Sequence, residues 1–263
     1  DDIVAPLVRF LEVFDVGTCF PLLLMIMEKS VPDEEWYAIA RDLESFIVRR
    51  AICGSGTKNY NRLFLSVAKN LKRNGVNSIN FRKALSEFGG SASGWPNDES
   101  FGSAWLSNHA YQLLNNPKIV HMLRRISESM HSAQQEPITF HGALTVEHIL
   151  PQSWISNWPL ADGSTGLNSW ELYSATSDDP RLLPTKSRNA ALQTMGNLTL
   201  LTQSLNSAVS NSAWASKKDA MLDASLLPIT QRLRHYESWN EDSISQRGRD
   251  LFNEALKIWP GPA

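Results

Sequence analysis

Apolar positions recur every three or four residues through the first half of the chain, the spacing that buries one face of an α-helix. This spacing predicts helices over 3–14, 20–30, 33–52 and 58–74. In the third, Trp36, Ile39, Ala40, Leu43, Phe46 and Ile47 form one stripe. The run "CGSGT" (53–57) interrupts the pattern as a glycine-rich connection does. Shorter helical patterns follow at 79–88 and 116–131, the second with Asn116 as cap and Pro117 in its first turn. A loop is expected between them at 89–98. After about residue 135 the texture changes. "PITFHGALTVEHIL" (137–150) is rich in β-branched and aromatic residues, and 151–180 is polar and turn-forming. "GNLTLLT" (196–202) reads as a short strand. Helical patterns return at 185–195, 204–223 and 243–259, the last stopped by Pro260 and Gly261. The expected fold is mainly α with a small α+β unit: a helical region over 1–135, then a strand–loop–strand–helix core with closing helices over 136–263.

Composition narrows the class. The chain has 263 residues, 42% hydrophobic, enough for a proper core. Two cysteines, Cys19 and Cys53, exclude a disulfide framework and a four-cysteine zinc site, and fit a reduced, cytoplasmic setting. The longest apolar run, "CFPLLLMIM" (19–27), is far short of the roughly 20 residues a membrane helix needs. The opening Asp1-Asp2 carries no methionine or signal peptide, which reads as a piece of a longer protein. Net charge is -2, but it is unevenly spread. Ten basic residues lie between Arg41 and Lys83 against only Asp42 and Glu44. That excess of about eight raises the expectation of an anionic partner, the alternative being solvated helix faces.

Several motifs fail on inspection. "CGSGTK" (53–58) lacks the phosphate-loop spacing and has no strand before it. There is no GxSxG elbow for a serine hydrolase. His109, His121, His131, His141 and His235 have no ligand-like partner at short spacing and read as structural or exposed. His148, in "TVEHILPQSW" (145–154), is open on spacing alone to a packed core residue, a metal ligand or a catalytic base.

Three further segments change that reading. "VEHILPQ" (146–152), "GNLTLL" (196–201) and "LNSAVSNSAWASKK" (205–218), with an asparagine nine positions after Asn197, resemble an HNH nuclease of the ββα-metal type. More narrowly, they resemble the C-terminal nuclease domain of GmrSD-type, modification-dependent restriction proteins. "VRRAICGSGTKNYNRLF" (48–64) is similar to the helical segment upstream of that nuclease. The resemblance implies His148 as general base, Asn197 holding the metal loop and strand in shape, and Glu147 and Asn206 as metal ligands. Many HNH nucleases carry aspartate and histidine at those two ligand positions. The resemblance further implies prokaryotic defence against foreign DNA, and an accompanying N-terminal NTPase or modification-sensing domain, which is not recognisable in this chain.

The residue types suit the chemistry. A neutral imidazole takes a proton from water at physiological pH. A carboxylate and an amide oxygen suit a hard divalent cation, Mg²⁺ first and Mn²⁺ next. One geometric condition follows. Neighbours on a regular strand face opposite ways, so Glu147 and His148 converge only if the strand ends or bulges at His148. If 146–149 is regularly extended, Glu147 is not expected to touch the metal. Arg49, Arg50, Lys58 and Arg62 are expected to track DNA phosphates. Lys217 and Lys218 read either as phosphate contacts or as exposed helix lysines, and Trp214 as a core anchor. The expected function is a metal-dependent HNH endonuclease that nicks or cuts DNA. The alternatives are a DNA-binding module with weak catalysis that depends on a missing domain, and an RNA-cleaving nuclease.

Overall fold

A computed structural model of the chain describes residues 4–88, 94–131, 143–202 and 211–262. It resolves into two compact units: Asp1–Ala104 with Ala255–Ala263, and Trp105–Glu254. Helices dominate both. They are α1 (Ala5–Phe14), α2 (Phe20–Met27), α3 (Asp33–Ile52), α4 (Tyr60–Asn74), α5 (Ser78–Ser86), α6 (Asp98–Ser107), α7 (Ala110–Leu113) and α8 (Asn116–Ser129). After strand β1 (Leu144–His148) come α9 (Ser169–Ser174), α10 (Leu182–Leu192), strand β2 (Leu198–Thr202), α11 (Trp214–Ala224), α12 (Pro228–Gln231) and α13 (Glu241–Ile258). The mainly α architecture with one small sheet is the one the hydrophobic pattern predicts.

In the first unit α3 is the spine. Its first turn carries Asp33, Glu34 and Glu35 and its last turn Arg49 and Arg50, charges that complement the helix dipole. Trp36, Ile39, Leu43, Phe46 and Ile47 of the predicted stripe are buried. The helix runs out at Cys53, and Gly54 follows in the left-handed conformation at φ 69°, which a residue without Cβ adopts freely. α4 ends directly at Gly75, which also takes a positive φ, 97°.

In the second unit β1 and β2 pair antiparallel, with Glu147 opposite Thr199 and His148 opposite Leu198. Both strands are largely buried: β2 (LTLLT) is mostly apolar, whereas β1 (LTVEH) buries Glu147 and His148 on its two faces. α8 packs against both strands. A second core gathers Ile149, Leu150, Trp154, Trp158, Leu201 and Met221 on the loop side. The long polar loop after His148 is pinned by Arg188. Its guanidinium donates to Trp158 O at 2.8 Å and Pro159 O at 2.9 Å, pairs with Glu241 and lies 4.8 Å over the Trp154 ring.

Several elements depart from the sequence expectation, the one-turn helices α7 and α12 among them. α6 was not foreseen, although Asn97 caps it through its Oδ1 to Ser100 N. α9 sits inside the stretch expected to be turns, started by a capping box between Asn168 and Glu171. α8 takes Asn115 rather than Asn116 as its cap. Of the helix expected at 204–223, residues 204–210 lie outside the described residues, and within the rest α11 begins at Trp214.

Candidate active site

His148 is the last residue of β1, and the chain bends away at Ile149 and Leu150. Its side chain is buried at 6% exposure. Nε2 lies 3.1 Å from the Oε1 of Gln193, just past the end of α10. The Gln193 amide has its other end committed, its Nε2 donating to Gln152 Oε1 at 3.2 Å. With the Gln193 amide in this orientation its Oε1 accepts, which calls for the imidazole proton on Nε2 and leaves Nδ1 its lone pair. The Tyr111 ring stands edge-on to the imidazole, centroids 4.4 Å apart, and the Tyr111 N–H donates to the Gln193 carbonyl at 3.1 Å. Burial holds the imidazole below the ordinary histidine value, against the Gln193 hydrogen bond, which raises it.

Glu147 faces the other way. β1 stays in regular register through His148, so adjacent side chains leave on opposite faces of the sheet. The Glu147 carboxylate meets Lys217 of α11, with Nζ to Oε1 at 2.5 Å. Lys217 is fully buried and also donates to the His148 carbonyl at 2.7 Å. Burial raises Glu147 and lowers Lys217, and their attraction opposes both shifts. The strand does end at His148, yet it does not turn the carboxylate to the imidazole side.

Asn197 is entirely buried and saturated with hydrogen bonds. Its Oδ1 accepts from Leu150 N at 2.8 Å and from Trp239 Nε1 at 3.1 Å. Its Nδ2 donates to Leu150 O at 2.9 Å and Leu192 O at 3.0 Å. Its backbone carbonyl accepts from Ile149 N. One side chain therefore staples the bend after His148 to the start of β2 and the end of α10. Arg247 braces the same turn, donating to Gly196 O at 2.7 Å and Leu198 O at 2.8 Å. Gly196 is required there: a Cβ would collide with the Ile244 carbonyl.

Asn206, the other expected ligand, lies outside the described residues. Among the described residues no group of three His, Cys, Asp or Glu side chains is placed to hold a metal ion. The one expected ligand in view, Glu147, already carries an ammonium at contact distance, which a divalent ion would have to displace. As described, these residues do not fit a divalent cation.

The expected DNA contacts divide sharply. Lys58 and Arg62 are exposed. Arg49 and Arg50 are buried at 0% and 3%. Arg49 donates to Trp259 O and Pro96 O and pairs with Asp98 at 2.7 Å, while Arg50 donates to Gly94 O and Gly56 O. A guanidinium spent on carbonyls in the interior cannot meet a phosphate, so the DNA-tracking expectation for these two is corrected to a structural role. Lys217 is corrected likewise to the Glu147 ion pair. Lys218, half-buried, donates to Tyr236 O at 3.2 Å and lies over the Trp214 ring. Trp214 itself stacks on Trp239 at 5.2 Å, the anchoring role expected of it. Gln193, Gln152 and Tyr111 were not singled out from sequence. Gln152 ends the "EHILPQ" run, but nothing local marks Gln193 or Tyr111.

With this geometry in view, residues 95–254 match the C-terminal domain of the GmrSD restriction endonucleases, and the chain belongs to that family. It is thus a restriction-endonuclease nuclease module. No curated protein matches the chain.

Proposed function

We propose that the chain hydrolyses DNA phosphodiester bonds with His148 as the general base. The observation that carries this reading is the buried hydrogen bond between His148 Nε2 and Gln193 Oε1. Gln193 Oε1 accepts a hydrogen bond from Nε2–H, leaving Nδ1 as the one basic atom on a ring that burial keeps neutral near pH 7. A neutral imidazole with a free lone pair is what deprotonation of an attacking water requires. Gln193 acts through His148 as a positioning residue, Tyr111 limits the ring's rotation, and Asn197 holds the bend on which the ring sits. The leaving oxygen and the phosphate charge also need relief. The family resemblance assigns that to a divalent ion, Mg²⁺ first, whose ligand set the described side chains do not present. One such site cleaves one strand, so a single copy nicks. The accompanying N-terminal sensing domain and a role in defence against foreign DNA belong to this reading as well.

Conversion of supercoiled plasmid to open circle, with RNA incubated in parallel, tests the reading. The expected result is plasmid nicking in Mg²⁺ that stops with EDTA and with His148→Ala. Nicking by His148→Ala at the wild-type rate would remove the base assignment, and cleavage of RNA alone would replace the substrate. Gln193→Leu should lower kcat by about tenfold or more, part of the 10²–10⁴ a general base contributes, with KM held.

A further inference from the structure

We propose that the outer face of α4 is a separate DNA-backbone contact surface, lying outside the matched nuclease segment. The proposal takes only the identity of the polyanion, duplex DNA, from the function proposed above. Its observations come from the first unit alone.

The excess of positive charge in 41–83 is sorted by the fold. Arg49 and Arg50 are buried. Arg82 pairs with Asp42, and Lys83 with Glu87. Four of the remainder, Arg62, Lys69, Lys72 and Arg73, are exposed on α4. At about 100° per residue they fall, together with exposed Leu65, within an arc of about 100°. The buried positions Tyr60, Leu63, Phe64, Val67 and Leu71 centre on the opposite side. Lys58, exposed in the turn before the helix, adds a further charge near its start.

Two features separate this face from an ordinary solvated one. α4 contains no acidic residue. None of its four basic side chains is in an ion pair among the described residues. By contrast, Arg124 and Arg125 of α8 are matched within their own helix, both meeting Glu128. The apolar side of α4 is already spent on the core, so the face has no hydrophobic stripe to place in a membrane. From Arg62 to Arg73 the row runs about 16 Å at 1.5 Å per residue. A duplex presents roughly ten charges over that length, at one per 1.7 Å of axis. Long cationic side chains with no aromatic among them suit phosphates rather than base edges or unstacked bases.

The test is the affinity of the full chain for a fluorescent duplex in EDTA, measured by anisotropy across a salt series. Arg62→Gln, Lys69→Gln and Lys72→Gln are combined in one variant. All three positions are exposed, and an unchanged thermal midpoint verifies the fold. The control combines Arg9→Gln, Lys29→Gln and Arg41→Gln, exposed basic residues off the stripe. The α4 variant should bind more weakly, with a log K against log salt slope shallower by about 2.7, at 0.9 per lost contact. The control should keep the wild-type slope. Equal slopes in wild type and α4 variant, or equal losses in both variants, would overturn the proposal, as would a wild-type chain that does not bind duplex at low salt. Its failure is separable from that of the nuclease reading: plasmid nicking by an α4 variant with wild-type affinity rejects only the surface. Lost binding in a chain that never nicks rejects only the catalysis.

Discussion

Replacing Lys217 by methionine keeps the buried stem and removes the ammonium, leaving Glu147 with no counter-charge and the His148 carbonyl short of a donor. Breaking a buried pair from one side costs about 3–5 kcal/mol. Protonation of Glu147 offers an escape with a definite ceiling. From an unfolded value of about 4.3, carrying a proton costs about 3.7 kcal/mol at pH 7 and about 1 kcal/mol at pH 5. The sign follows from the direction of the shift. A carboxylate whose folded value is raised holds its proton better when folded, so the penalty grows as pH rises above the unfolded value. With the missing carbonyl hydrogen bond included at both pH values, Lys217→Met should therefore lose about 4–5 kcal/mol at pH 7 and about 2 kcal/mol at pH 5. The double variant Glu147→Gln with Lys217→Met removes both charges, and should lie within about 2 kcal/mol of wild type at either pH. Urea unfolding with matched m-values measures all of these. A single variant within about 1 kcal/mol of wild type at pH 7, or a loss that does not shrink on acidification, would refute the buried pair.

Other outcomes follow from the same structure. Asn197→Ala strands four buried partners and should cost about 3–5 kcal/mol once water partly refills the space, read by denaturant midpoint. Arg49→Met should destabilise by at least about 2 kcal/mol through the lost bonds to Trp259, Pro96 and Asp98, yet leave the salt slope of DNA binding unchanged. A slope that fell with it would restore Arg49 as a phosphate contact. His148 titrates below its unfolded value, so its contribution to stability is complete above about pH 6.5 and is lost as pH falls through the folded value. Compared with wild type, His148→Gln should show a smaller fall in Tm between pH 7 and pH 5, and an identical fall would contradict a buried neutral imidazole.

Much of the fold was legible because it rests on periodicity. The α3 stripe and the strand in "GNLTLLT" follow from side chains that must be buried along one face or two. α9 and α6 were legible too, but only through their caps: Asn168 with Glu171, and Asn97 before Asp98. The short apolar content of those segments hides them from a periodicity reading. The position of His148 at a strand end was anticipated. What escaped was burial of charge. A count of arginines does not distinguish Arg62, in solvent, from Arg49, whose guanidinium closes onto Trp259 some two hundred residues away. Lys217 hides in the same way, since one turn of helix decides whether a lysine meets water or Glu147. Gln193 is defined only by tertiary approach, because nothing near it in sequence announces a partner for His148.

Asn197 has a practical consequence for anyone mapping this protein by variant scanning. Under the function proposed above, Asn197 and His148 scored on cleavage alone should rank together as dead positions. Scored on cellular abundance they should part, because loss of Asn197 undoes the turn itself, whereas a trimmed His148 takes away one ring and leaves the staple closed. A bound, uncut DNA complex should therefore be sought with a change at position 148, and a null at 197 should be treated as a shortage of protein until the amount present has been measured.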